Sequence, residues 1–488
     1  MKRTGSHQIL QMLVDQWVTT IFGYPGGAIM PLYDAIKDFD QIEHILVRHE
    51  QAAVFAAQWR ARRTWEIGVA FVTSWPGCSN ALTALLDAYM DSIPILMISG
   101  QVHSSMIWKD AFQEMDAIGA TMSMTKHNYL IQDSEHLVSS LEEACDLIRS
   151  WRPWPVHVDI TKDVQLAQVS KLNKWNEVNK VDQEKKYPSI SDTACEEFFE
   201  LLIQAKKPVL LIGQWVKHAW AEEEMNEFID KTGIPCVITL MAKWVVRGDQ
   251  ESYLWWLGMH GWYHANMAMH HADCIISIGS RFDDRIVWTY DSFAKNAKVI
   301  HVDVDKAELN KVVQADLAVH ADAKQFLQAV ISRSVSSLSV DEWKKQIQQR
   351  KVSWAIQEKS TCTMRGVYSA YNKYVSGVLD DYIVVTDVGQ HQMRAWQYVD
   401  VASSRHWLSS WWAGSMGFAI PTAMGTSFAS PDKIVIAFVG DGGFQMSFNE
   451  LQTIAEHGCN VKIVILNNGF LGICLLYTSD AADEAKCV

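Results

Sequence analysis

The chain has 488 residues, of which 49% are hydrophobic and 20% charged, with a formal net charge of −13. This is the composition of a globular protein of two to four domains. The acidic balance argues against a nucleic-acid binder, and no apolar run reaches the roughly 18 residues of a membrane span. Nine cysteines lie dispersed without a Cys-x-x-Cys pair, which argues for reduced thiols. The N-terminus runs straight into a helical pattern, so a cytoplasmic protein without a targeting segment is expected.

In chain order, apolar and β-branched runs predict strands near Thr19–Phe22, His44–Val47, Gly68–Thr73, Ile95–Ser99 and Val156–Ile160. A helix is expected over Ser79–Met90. The polar stretch Lys171–Tyr187 reads as a linker. A second block carries strand runs "PVLLIG", "PCVIT", "CIISIG" and "KVIHVDV", followed by a charged helical connector over 336–360. A third carries "YIVVTDVG", "KIVIAFVGDGG" and "VKIVILNNG". Strand–helix alternation throughout predicts three doubly wound α/β domains with parallel sheets, over 1–170, 188–330 and 361–473.

Two counts stand out: 21 Trp and only 26 Gly. A chain of this length ordinarily holds roughly 34 Gly. In "TSWPGCSN", Trp75 sits in a strand-to-helix turn, a place that favours glycine.

The motif richest in chemistry is "GDGGFQMSFNELQTIAEHGCNVKIVILNNG". Gly440-Asp441-Gly442 ends one strand and Asn467-Asn468 ends the next. A parallel sheet sets the two strand ends side by side, at the carboxyl edge where such sheets bind ligands. Asp441 and Asn468 then offer oxygens to Mg²⁺, and the glycines let a diphosphate approach the backbone. The spacing resembles the thiamine-diphosphate signature. In "ILVRHEQAA", Glu50 opens a helix; taken alone, it reads equally as a carboxylate held by the helix dipole.

Together with "IFGYPGG", "AYMDSIPILMISGQV", "DAFQEMD", "LGMHG", "GSRFDDR", "TDVGQHQM" and "SMGFAIP", these stretches resemble the catalytic subunit of the acetohydroxyacid (acetolactate) synthase family over most of the chain. The resemblance implies a pyrimidine-binding, a central FAD-binding and a diphosphate-binding domain. It implies a transferase that decarboxylates pyruvate and joins the remainder to a second pyruvate or to 2-oxobutanoate. That is a step of valine, leucine and isoleucine biosynthesis. Alternatives are a catabolic acetolactate synthase without FAD, a pyruvate oxidase, or a non-catalytic paralogue.

By the same resemblance, Glu50 activates the cofactor, and Gly27, Phe112 and Gln113 line the reacting centre. Arg285 receives the second substrate's carboxylate and Lys162 lies at the mouth of the site. Without the family, Arg285 reads as a surface ion pair and Lys162 as a solvated loop lysine. Tyr24, Pro25, Gly26, Pro76, Asn80, Gly389, Gln390, His391, Gly414, Met416, Gly440, Gly442 and Gly443 hold thiamine diphosphate. Asp441, Asn468 and the Phe470 carbonyl hold Mg²⁺. The FAD set is Thr239, Leu240, Met241, Leu257, Gly258, Met259, His260, Gly279, Ser280, Arg281, Asp283, Asp322 and Ala323. A homodimer or homotetramer with its active sites at the subunit interface follows, with a small regulatory subunit as a further partner.

The departures share one direction. Trp17, Trp59, Trp65, Trp75, Trp108, Trp151, Trp154, Trp215, Trp244, Trp255, Trp288, Trp411 and Trp412 stand where the family pattern has Gly, and Trp175 and Trp220 are further candidates. Trp407 fits the family as Trp. The expectation is a UGA codon decoded as glycine and written as tryptophan. After Ile473, "CLLYTSDAADEAKCV" matches nothing in the family and reads as a non-native tail that replaces the family's C-terminal lid.

Overall fold

The computed structural model describes residues 3–64, 66–169, 188–287, 293, 295–333, 338, 340–352 and 363–474. The linker at 171–187, most of the tail, and Trp65, Trp175 and Trp288 lie outside the described residues. The chain divides into two compact units, Met1–Val181 with Met364–Val488, and Asp182–Thr363.

The first unit holds two sheets. One contains β1 (Thr20–Gly23), β2 (Glu43–Leu46), β3 (Gly68–Val72), β4 (Ile95–Gln101), β5 (His127–Ile131) and β6 (Val156–Thr161), in the order β2-β1-β3-β4-β6-β5. Every pairing is parallel. β3, β4 and β6 are buried along their whole length, as strands covered by helices on both faces must be, hence their unbroken apolar runs.

The second unit carries β7 (Pro208–Ile212), β8 (Cys236–Ile238), β9 (Tyr253–Trp256), β10 (Cys274–Ile278), β11 (Lys298–Asp303) and β12 (Leu317–His320). Their order is β12-β11-β10-β7-β8-β9, again all parallel.

Back in the first unit, β13 (Tyr382–Thr386), β14 (Trp407–Ser409), β15 (Ile434–Gly440) and β16 (Val461–Leu466) form the other sheet, in the parallel order β14-β13-β15-β16. The helix expected over Ser79–Met90 begins earlier, at Pro76, because proline's fixed φ suits a first helical turn. Four strands escape the apolar-run reading: β5, β9, β12 and β14. Each is an edge strand of its sheet.

The two sheets of the first unit share a core. The helix Glu50–Thr64 packs on the helix Ala419–Ala429, with Phe55 edge-on to Phe418 at 5.3 Å. Gly425 is needed there, since a Cβ would collide with the Ala56 carbonyl oxygen. Where this contact ends, Arg62 is buried and donates to Asp87 (3.0 Å), Asp91 (2.8 Å) and Gln58 (2.7 Å). Ser410, just past β14, donates to the other oxygen of Asp87.

Candidate active site

Each sheet has a switch point where the strand order reverses, the place where open α/β sheets bind ligands. In the first sheet it lies between β1 and β3. Tyr24, Pro25, Gly26 and Gly27 follow β1, and Ser74–Gly77 follow β3. The two turns touch closely: a Cβ on Gly26 would stand 2.5 Å from Thr73 Cβ, and one on Gly77 would stand 2.9 Å from Thr73 Cγ2. A short connection after β2 brings in Glu50, which opens its helix and is buried. Its Oε2 accepts from Asn80 Nδ2 at 2.9 Å, and its Oε1 faces Gly77. Beside these turns, the Thr73 and Ser74 hydroxyls are buried without a partner among the described residues. Buried unpaired hydroxyls are costly unless something else fills the crevice.

In the other sheet of the same unit the switch point lies between β13 and β15. Gly389 (φ +154) begins the helix Gln390–Tyr398, and Gly440 begins the helix Asp441–Ser447. The His391 ring lies between them: ideal Cβ atoms on Gly389 and Gly440 would stand 2.7 and 3.0 Å from its Cε1. Burial pushes the imidazole down to about 4, so it is neutral, and its buried Nε2 has no partner among the described residues. Met416 closes on Gly442, where a Cβ would lie 3.2 Å from Met416 Cε. Gln390 donates to the Gly472 carbonyl at 3.1 Å, and Gly414 (φ +58) turns the chain toward Met416.

The β15–β16 register sets Gly440 opposite Leu466, so Asp441 and Asn468 emerge from adjacent strand ends. One end of the Asn468 amide lies 3.2 Å from Asp441 Oδ1 and 2.7 Å from the Phe470 carbonyl oxygen. With its NH₂ turned there, it donates to both. With its oxygen turned there, three oxygens converge, the donor set suited to a hard cation such as Mg²⁺ that keeps water and phosphate oxygens as further ligands.

Asp387 was not singled out from the sequence. It is fully buried beneath this edge and accepts from the backbone N–H groups of Val388 (2.9 Å), Gly417 (3.0 Å) and Ala419 (2.9 Å). Burial raises its carboxyl to about 6. Gly443 must lack a Cβ, because one would collide with Asp387 Oδ1. The only signal in the sequence was an Asp directly after an apolar strand.

The remaining expected residues are placed as follows. Phe112 is 88% exposed on a loop whose backbone donates to the Glu114 carboxylate, and Gln113 (φ +61) is beside it. Lys162 is exposed at the start of the helix Lys162–Leu166. Among the described residues, no hydrogen bond joins Glu50 or Asn80 to His391, Asp441 or Asn468.

In the second unit the switch point lies between β7 and β10. Gly279 (φ +67), Ser280 and Arg281 follow β10, Thr239–Met241 follow β8, and Asp322-Ala323 open the helix after β12. The Ser280 hydroxyl is buried without a partner among the described residues. Gly258 (φ +119) presses on the Arg285 carbonyl, and Met259 donates its backbone N–H there at 3.0 Å. Leu257 is buried and His260 half-buried beside them. Burial raises Asp283 to about 6, while its Oδ1 accepts from the Arg285 N–H at 2.9 Å. The Arg285 side chain is half exposed, 3.7 Å from Asp284.

Three family models match the chain. The thiamine pyrophosphate enzyme N-terminal TPP binding domain covers residues 3–120, the central domain 195–330 and the C-terminal TPP binding domain 387–486. The acetolactate synthase large subunit of Lactococcus lactis is 40% identical over 99% of this chain and 84% of its own length. The chain belongs to the acetolactate synthase large-subunit family. Acetolactate synthase isozyme 3 large subunit of Escherichia coli is 37% identical over 96% of this chain and 83% of its own length. The Corynebacterium glutamicum large subunit is 39% identical over 97% and 76%. Each matched domain falls on one of the three sheets: the N-terminal match takes in β1–β4, the central match β7–β12 and the C-terminal match β14–β16. No described helix is long and apolar enough to cross a membrane.

Proposed function

We propose that the chain converts two molecules of pyruvate into 2-acetolactate and CO₂, and accepts 2-oxobutanoate as the alternative second substrate, within branched-chain amino-acid biosynthesis. The observation that carries this reading is the meeting of Asp441 Oδ1, the Asn468 amide and the Phe470 carbonyl beside the Gly440–Gly443 turn and the unpartnered His391. Asp441, Asn468 and Phe470 would hold Mg²⁺, and Gly389, Gln390 and His391 would hold a diphosphate. The buried Thr73 and Ser74 hydroxyls and the crowded Gly26 and Gly77 turns fit the flat ring of the same cofactor. Thiamine diphosphate, when bound, supplies the carbon nucleophile and the electron sink for loss of CO₂.

The protein's part is positioning and proton transfer. Glu50 sits at a helix N-terminus, where the dipole favours its ionised form, and Asn80 fixes one of its oxygens. The other faces Gly77 at the crevice, where it would give and take a proton at a ring nitrogen of the bound cofactor. Met416, packed on Gly442, would lie against the bound cofactor. Following the resemblance, Glu50, with Gly27, Phe112 and Gln113 of the same chain, would meet the diphosphate edge of a second copy. Arg285 is suited to a substrate carboxylate because its guanidinium forms paired hydrogen bonds, and Lys162 would draw anionic oxoacids to the mouth. In the second unit, the unpartnered Ser280 hydroxyl and the crowded glycines at the switch point fit FAD as a structural group. The family's large-subunit naming supports a small regulatory partner.

The test is Glu50→Gln in a full chain carrying glycine at the thirteen positions named above. Loss of the proton relay should lower acetolactate formation about 10²–10⁴-fold while thiamine diphosphate still binds. Unchanged turnover removes Glu50 from the reaction.

A further inference from the structure

Twelve described non-glycine residues have φ between +22° and +70°, and seven are Trp: Trp17, Trp75, Trp108, Trp151, Trp220, Trp244 and Trp255. Bulky side chains are outliers in this region, which glycine enters freely. Trp256, Trp262, Trp343, Trp396 and Trp407 are not among the twelve. By backbone alone these seven stand apart from the other described tryptophans.

Four of the seven occupy recognised glycine positions. Trp17 follows the C-cap of the helix Gly5–Asp15. Its N–H bonds to Val14 O (2.9 Å), and that of Val18 bonds to Leu13 O (3.0 Å), the paired bonds of a Schellman motif. Trp220 follows the C-cap of the helix Gln214–His218 with the same pair, to Lys217 O (3.3 Å) and from Ala221 to Val216 O (3.0 Å). Gly458 fills that position in a third copy of the motif, after the helix Leu451–Glu456, at φ +60. Trp244 is the third residue of a turn in which Val245 N–H bonds to Ala242 O at 3.1 Å. Lys243 before it has φ −54 and ψ 133, which makes this a type II turn, with glycine the favoured third residue. Trp255 lies where β9 runs one residue longer than β8 between two pairings, a bulge. Trp17, Trp75, Trp108, Trp151 and Trp220 are between 44% and 80% exposed, so burial in a core does not offset their backbone strain.

We propose that the functional polypeptide carries glycine at these seven positions, each written as Trp because a UGA codon, one base from GGA, is decoded as glycine in the source cell. Trp256, Trp262, Trp343, Trp396 and Trp407 are tryptophan in that polypeptide. This holds whatever reaction the protein performs.

The codons decide it first. UGA is expected at all seven positions and UGG at the five controls; UGG at the seven overturns the proposal. The second measurement compares thermal unfolding of the full chain with tryptophan and with glycine at the seven positions. Single Gly→Trp reversals at 17, 220 or 244 should each lower Tm by about 2–4 °C or more. An insoluble tryptophan chain beside a soluble glycine chain supports the proposal. A tryptophan chain that melts at or above the glycine chain overturns it.

Discussion

Trp215 shows what one side chain does to a site. It lies in the first turn after β7, at the switch point of the second unit. Its Cβ is 2.5 Å from where a Cβ on Gly279 would be, and its indole donates to Asp322 at 3.2 Å. It therefore crowds the Gly279 turn and occupies the carboxylate of Asp322, one of the residues expected to hold FAD. Trp215→Gly should raise the flavin retained on purification, read from visible absorbance; equal flavin in both chains contradicts this reading. At this scale Glu50, Asp441 and Asn468 were legible in the sequence, because a strand end followed by Gly or by a helix start has one geometry. Asp387 and the Thr73 and Ser74 hydroxyls were not. Two of the three donors to Asp387 lie 30 or more residues away, the two hydroxyls stand out by the lack of a partner, and no local pattern records that.

Among the elements, the strands read correctly are interior ones and the β2 and β16 edges, whose apolar runs are written in the sequence. The four missed are all edges. β12 alternates buried and exposed residues, β14 has three residues, and β5 is largely half-exposed; β9, Tyr-Leu-Trp-Trp, is apolar but only four residues long. The contact between the Glu50–Thr64 and Ala419–Ala429 helices was equally hidden, because its polar end joins Arg62 to two aspartates from another helix. Arg62→Met leaves the buried Asp87 without the guanidinium that donates to it. It should destabilise the first unit by about 3–5 kcal/mol in urea unfolding, and a change within error would contradict that.

Asp159 makes a second element-scale case. It lies within β6, fully buried, accepting from Ser99 (2.5 Å) and Gln101 (2.9 Å). Burial pushes its carboxyl up from 3.8 to about 7, with Asp116 adding to the rise and the two donors opposing it. The unfolded chain ionises first, so this group costs stability progressively as pH rises from about 4 to about 7. Asp159→Asn should lose less stability than the parent between about pH 5 and pH 7.5; an equal loss would show that Asp159 ionises normally.

Across the whole molecule, one device appears three times: a parallel sheet, a reversal of strand order, and glycine turns at the carboxyl edge. In the first unit two such edges carry a carboxylate and a cation-type oxygen set. In the second, one edge carries the glycines and the unpartnered Ser280. The domain count and the sheet class were legible because βα alternation leaves few topologies. The association of the first and third blocks in one unit was not, because it rests on helix faces far apart in the chain. On the proposed reading, the β13–β15 edge holds the diphosphate of thiamine diphosphate through a cation on Asp441, Asn468 and Phe470. Calorimetric titration of the glycine-bearing full chain with thiamine diphosphate, with and without Mg²⁺, tests it most directly. Binding should require Mg²⁺ and vanish in Asp441→Ala. Binding that survives both chelation and that substitution would contradict the account.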